Sequence, residues 1–221
     1  MPETLKEGAK RLAQPWLAKG YRAAGLHVYR NTDGAEIFGK FRLEHPDGDT
    51  APEGRKVIRP LHANGNGLCV MGEPGFERGK KPLYQLDRIA TKPDAVVWVT
   101  EGEKAADRLM RLGALATTSG SASSDDAVDW SALAGRACCL WADFDDEGRA
   151  YMGRVAERLL KLCCSIEILD VDKLGLPSKG DAADWLGALE EPEIDDLDRL
   201  PRVRAETPPR PDDGSPRVRM V

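Results

Sequence analysis

Two stretches of this chain set carboxylates directly after apolar runs. AVVWVTEG ends in Glu101 and Gly102, and RACCLWADFDDEG ends in Asp143, Phe144 and Asp145, followed by Asp146, Glu147 and Gly148. Gathering several carboxylates costs free energy through mutual repulsion unless cations are shared among them, and Mg²⁺ prefers such hard oxygen ligands. Mn²⁺ suits the same donors. In an extended segment residues i and i+2 face one side, so Asp143 and Asp145 can address one ion. The chemistry such a site supports is metal-assisted phosphoryl transfer. Gly102 and Gly148 allow sharp turns and close approach of a phosphate, and Lys104 and Arg149, each just inside the following helix, are candidate phosphate contacts. Either acidic stretch alone is a common surface turn. Their occurrence in order, each on a strand end, carries the reading.

The elements that must position these residues are legible from Ala95 onward. AVVWVTEG reads as a buried strand, KAADRLMRLG as an amphipathic helix stopped by Gly113, and ALATTSG as a second strand. RACCLWADFDDEG, RAYMGRVAERLLKL and CSIEILDV follow as strand, helix and strand. This alternation predicts an α/β fold, a Rossmann-like parallel sheet with helices on both faces, whose ligands bind beyond the carboxyl ends of the strands. Residues 1–92 read as a smaller α+β region. Leu5 to Gly25 is helical with a break at Pro15, and HVYR, EIFGKFRLEH and GRKVIRPLH form an antiparallel sheet joined through the turns NTDG and PDGD. Loops lead to PLYQLDRIA, a short helix or strand, and Pro93 marks a boundary. Residues 93–200 then form the catalytic domain. Residues 201–221, with PPRP and PDDGSP and few apolar positions, read as a disordered tail.

The 221 residues, 41% of them hydrophobic, suffice for a real core. Charge divides unevenly: residues 1–92 carry 16 Lys and Arg against 11 Asp and Glu, and residues 93–221 carry 16 against 26. A basic half meeting phosphate backbone and an acidic half collecting cations fits that division. On the front strands, Lys40, Arg42, Arg55, Lys56 and Arg59 are candidates for a basic face toward template or nucleotide phosphates; the bland alternative is a solvated sheet face. Five cysteines, Cys69 and the pairs Cys138–Cys139 and Cys163–Cys164, lack C-x-x-C spacing, so no zinc is expected. Trp98 and Trp141 read as core, and His27, His45 and His62 are scattered without an evident role. No apolar run is long enough to span a membrane and the polar start is unlike a secretion signal, which points to the cytoplasm.

The segments VVWVTEGEKAADRL, CLWADFDDEGRAYMGRVAERL and KGDAADWL together resemble the TOPRIM domain of primases and topoisomerases. With EGEKAAD, TTSGSA and the final GDAADWL, the chain is most similar to the primase-like proteins of phages, plasmids and integrated mobile elements. The match covers about Asp94 to Leu186. The resemblance implies that Glu101 is the family's general acid or base and also a metal ligand, and that Asp143 and Asp145 are the Mg²⁺-binding pair. Asp184 and Asp181 match the late acidic motif, which in the family usually separates its aspartates by one residue; here they are three apart. The activity implied is primer synthesis on a single-stranded DNA template from nucleoside triphosphates, with a helicase or initiator protein as a possible partner. A metal-dependent nuclease and a non-catalytic DNA- or helicase-binding module are the alternatives. No helicase-type phosphate loop is present.

Overall fold

The computed structural model describes residues 1–162 and 164–205. The chain opens with α1 (Leu5–Leu12), closed at its start by a reciprocal Thr4–Glu7 capping box. Pro15, at the first turn of α2 (Gln14–Leu17), begins a new helix after the break. The helical reading to Gly25 runs too far: β1 (Arg22–Arg30) already starts at Arg22. Strands β2 (Glu36–Glu44), β3 (Lys56–Ala63) and β4 (Cys69–Met71) complete a four-stranded antiparallel sheet in the order β1-β2-β3-β4. PLYQLDRIA resolves as a helix, α3 (Leu86–Thr91).

The second half alternates as the apolar runs predict. Strand β5 (Val97–Val99) leads to α4 (Glu103–Leu112), which ends at Gly113 in the left-handed conformation. Then come β6 (Leu115–Thr117), β7 (Ala137–Leu140), α5 (Asp146–Lys161), β8 (Ser165–Leu169), α6 (Ala182–Ala188) and β9 (Arg202–Arg204). The sheet order is β6-β5-β7-β8-β9, with the first four strands parallel and β9 antiparallel at the edge. A parallel sheet flanked by helices and preceded by an antiparallel α+β region is the fold class the sequence predicts. Of the expected disordered tail, Arg202–Arg204 instead extend this sheet, and residues 206–221 lie outside the described residues.

Strand alternation divides the core. Val97, Val99, Cys138 and Leu140 face α5, packing against Tyr151, Met152, Val155 and Leu159. Trp98, Ala116, Cys139 and Trp141 face the other way, onto Ala105, Ala106 and Leu109 of α4 and Leu186 of α6. That second cluster also takes in Tyr29 and Phe38 of the antiparallel sheet, so both sheets share one core. The far face of the antiparallel sheet packs Phe41, Leu43, Val57 and Leu61 on α1. Among the described residues no helix is long and apolar enough to cross a membrane.

Candidate active site

Strands β5 and β7 are neighbours at the centre of the parallel sheet, and the chain leaves β5 toward β6 on one side and β7 toward β8 on the other. Their carboxyl ends therefore flank the topological switch point, where open α/β sheets form crevices. Glu101 follows β5 and Asp143 follows β7, so the topology itself brings together the two acids the sequence separates by 42 positions. Gly148 makes the second position possible: a Cβ there would lie 2.7 Å from the Asp143 carbonyl oxygen. Gly102 serves differently, since nothing in the protein lies within 4 Å of where its Cβ would be and the residue borders open space.

These acids line a cleft of about 760 Å³ whose opposite wall is the antiparallel sheet. Glu101, Asp143, Asp145, Glu147, Asp181 and Asp184 form one side; Arg42, Arg55 and Lys56 stand on the other. Burial, then the charges of Glu101, Asp181 and Asp145, push the Asp143 carboxyl up to about 8, against the opposing pull of Lys56. Burial, then Asp145 and Glu147, raise Glu101 in the same way. Neither side chain accepts a hydrogen bond from any described residue. Counting Glu44, Asp49 and Glu103, nine carboxylates among the described residues border the cleft against five cations, the three on the sheet plus Lys104 and Lys179. A polyanion entering this space needs added positive charge.

The donors fit a divalent cation by chemistry, being hard carboxylate oxygens, and Glu101 and Asp143 have no side-chain partner among the described residues. Among the described residues no three His, Cys, Asp or Glu side chains converge closely enough, as they stand, to enclose an ion. The remaining acids have structural duties. Asp145 caps α5, accepting from the Gly148 amide at 2.7 Å. Asp181 and Asp184 form a capping box on α6, each carboxylate accepting from the other's amide at 2.9 and 3.0 Å. That accounts for their three-residue spacing. Of the two, Asp181 is the one whose charge reaches both Asp143 and Glu101. Lys104 lies 3.8 Å from Asp181 and 3.6 Å from Asp184.

Three of the expected phosphate contacts are elsewhere. Lys40, only 8% exposed, reaches into the junction of the two sheets, 2.8 Å from Glu103, which is 5% exposed. Glu103 also accepts from the Tyr29 hydroxyl at 2.6 Å, and Lys40 donates to the Gly120 carbonyl at 3.2 Å. A Cβ on Gly120 would sit 2.6 Å from both the Lys40 Nζ and the Tyr29 hydroxyl, which explains the glycine of TTSGSA. Arg59 is opposite Phe41 in the β2–β3 register, hence on the α1 side, where it packs over Trp16 at 5.4 Å. Arg149 turns away from the cleft to pair with Asp172 at 2.6 Å and to stack on Phe144 at 5.1 Å.

Lys179 and His27 are among the cleft residues to which the sequence reading gave no role. Lys179 occupies the left-handed region with φ 61°, unusual for a residue with a side chain, and its amide donates to the Phe144 carbonyl at 3.1 Å. His27, from β1, also borders the cleft and pairs with Asp107 at 2.9 Å. A lysine in a PSKG loop and a solitary histidine carry no periodic signal, so neither was visible in sequence.

No protein-family model matches the sequence, and no curated protein is found to be similar to it. Among solved structures, the chain is similar to the Aquifex aeolicus primase (zinc-binding and RNA polymerase domains), with a TM-score of 0.52 and 16% identity over 90% of this chain and 48% of that one. It also aligns with the DnaG catalytic core at a TM-score of 0.48 and 16% identity, covering 88% of this chain and 63% of that one. A structure of bacteriophage T7 lagging-strand DNA polymerase interacting with primase domains of two gp4 subunits bound to an RNA/DNA hybrid and dTTP aligns at 0.38 and 15% identity, over 82% and 80%. The first likeness shows a primase-like fold; the other two carry no argument. The chain spans about half the length of the Aquifex aeolicus protein.

Proposed function

We propose that this chain is a primase-like nucleotidyltransferase that uses Mg²⁺ or Mn²⁺ to join nucleotides on a single-stranded DNA template. The observation that carries the reading is the pairing of Glu101 with Asp143 at the switch point: two half-buried carboxylates without partners among the described residues, facing Arg42, Arg55 and Lys56 of the sheet across a cleft. The primase-like fold supports it.

In this reading Asp143, Asp145 and Asp181 hold the metal with Glu101, and Asp184 serves chiefly as the cap that fixes Asp181. A divalent cation bound there supplies charge stabilisation for the transferring phosphate and a lowered pKa for the attacking hydroxyl. The chain's own residues do the positioning. Arg42, Arg55 and Lys56 hold phosphates against the sheet, and Glu101 is the residue assigned to take and return a proton at the reacting oxygen. Alignment of a nucleotide 3′-hydroxyl with an incoming triphosphate is then largely a matter of orientation within the cleft. Single-stranded DNA and nucleoside triphosphates are the substrates, and a helicase or initiator protein of a replicating element is a fitting partner.

The test is a primer-synthesis assay with single-stranded DNA, labelled nucleotides and Mg²⁺ or Mn²⁺, run beside Glu101→Gln and Asp143→Asn. Short labelled products from the wild type that both variants lack support the proposal. Variant-sensitive shortening of the template without new products overturns it in favour of a nuclease.

A further inference from the structure

We infer that His27 is a ligand-contacting residue of the cleft, its Nε2 held ready for a phosphate oxygen of a bound strand or nucleotide. This rests on the primase-like reading of the cleft and adds a residue to it. The ring is fixed from one side. Its Nδ1 lies 2.9 Å from an Asp107 oxygen, and the other oxygen of Asp107 accepts from the Tyr84 hydroxyl at 2.7 Å and the Gln85 amide at 3.4 Å. Tyr84 also meets the imidazole edge-on, 5.9 Å between centroids. With Nδ1 committed to a carboxylate, Nε2 is the only polar atom the ring has left.

That atom has no partner among the described residues, although His27 is only 7% exposed. Nε2 itself is not among the described polar atoms sealed from solvent, so it stays open to a ligand. The exposure that remains opens on the cleft, which His27 borders. Gly25 keeps the approach clear: a Cβ there would lie 3.5 Å from Nε2, and the glycine does not adopt a positive φ that would otherwise require it. In the β1–β2 register Gly25 is opposite Arg42 and His27 opposite Lys40, so Nε2 belongs to the face that presents Arg42 to the cleft. Lys40 is occupied by Glu103. Arg42 donates to Glu44 through Nε and Nη2 at 2.9 and 2.7 Å, and its Nη1 has no partner among the described residues; beside that group the fitting partner is an anionic oxygen.

A histidine that only docks β1 on α4 would use Nδ1 alone, and two substitutions separate the roles. His27→Asn places an amide near Nδ1 and lacks Nε2; His27→Gln reaches toward Nε2 and gives up the bond to Asp107. Binding is measured by fluorescence anisotropy with Mg²⁺, using a labelled ten-nucleotide single strand in one arm and a fluorescent nucleoside triphosphate in the other. His27→Asn keeps a partner for Asp107, and its melting temperature is measured beside the wild type to establish that it folds. It should weaken by about tenfold the probe whose phosphate meets Nε2, the loss expected for one charge-assisted hydrogen bond. His27→Gln should recover part of that affinity. Which arm responds identifies the phosphate as belonging to the strand or the triphosphate. Unchanged binding of both probes by a folded His27→Asn overturns the inference. A wild type that binds neither probe removes the primase-like reading itself, and the inference with it. Should His27→Asn not fold, the ¹⁵N imidazole spectrum of the wild type decides: Nε2 must move on adding the probe while Nδ1 stays, and an unmoved Nε2 refutes the contact.

Discussion

The Lys40 ammonium and the Glu103 carboxylate meet 2.8 Å apart at the junction of the two sheets, each almost wholly out of water. One strand pleat beyond Lys40 is Arg42 on the cleft wall, and two residues before Glu103 is Glu101. The pair therefore ties the wall that carries cations to the strand end that carries acid. Burial alone would raise the Glu103 carboxyl, but the Lys40 charge, its hydrogen bond and the Tyr29 hydroxyl together hold it below the usual carboxylate value.

Removing one partner strands the other in a low-dielectric junction. Lys40→Met is expected to cost about 3 to 5 kcal/mol of stability, and Lys40→Met/Glu103→Gln distinctly less than that single change, in chemical denaturation. If Lys40 contacted substrate phosphate instead, the two variants would be equally impaired in binding and Lys40→Met would melt like the wild type. Because the folded Glu103 carboxyl titrates below its unfolded value, its stabilisation is fully present above about pH 4.5 and is lost as pH falls through the lower folded value. Glu103→Gln should flatten that part of the stability–pH curve.

Asp143 shows the opposite sign. Its folded carboxyl is pushed up to about 8 from 3.8, so the metal-free protein loses stability as pH rises between those values. Asp143→Asn removes the penalty. At pH 8.5 in chelator the variant should melt roughly 3 to 6 °C above the wild type, and below pH 4 the two should coincide. Added Mg²⁺ should stabilise the wild type and leave the variant nearly unmoved. A variant less stable than the wild type at pH 8.5 would show that Asp143 has a structural partner.

The basic residues divide between those that border the cleft and those held elsewhere. Arg55 and Lys56 border the cleft, whereas Arg59 lies on the α1 face and Arg149 is held by Asp172. Arg55→Ala and Lys56→Ala should each weaken DNA binding and lower the slope of log affinity against log salt by about 1. Arg59→Ala and Arg149→Ala should leave that slope unchanged, and equal slopes for all four would dissolve the distinction. Because carboxylates outnumber cations around the cleft, chelator should weaken binding in every one of these proteins.

What could be read in advance follows from how the information is stored. Apolar runs such as AVVWV and RACCLW fix buried parallel strands, and a carboxylate at the end of such a run is placed by topology, so Glu101 and Asp143 were visible. Lys40 was not, because a lysine on a strand looks the same whether it faces water or a buried glutamate 63 residues away. Arg59 needed the register: one position from Ile58, it turns to the opposite face. The Asp181–Asp184 spacing, odd for a ligand pair, is what a capping box requires. β9 was missed because three residues are too short a run for alternation to be read, and its pairing with β8 is decided by tertiary context.

Lys179 combines both kinds of constraint. Its backbone sits at φ 61°, a conformation that glycine adopts without penalty, while its side chain lines the cleft and makes no ion pair among the described residues. Holding a lysine there costs about 1 kcal/mol or more, and the expected return is a phosphate contact from its side chain in the cleft. Lys179→Gly should keep or raise the melting temperature, its relief of strain offset in part by the greater freedom of the unfolded chain. It should also weaken binding of single-stranded DNA or nucleoside triphosphate several-fold, through loss of one phosphate contact. Lys179→Ala retains the strain and loses the contact, so it should bind as weakly and melt lower. If Lys179→Gly bound both probes like the wild type, the left-handed lysine would serve only the turn that pins Gly180 to Phe144.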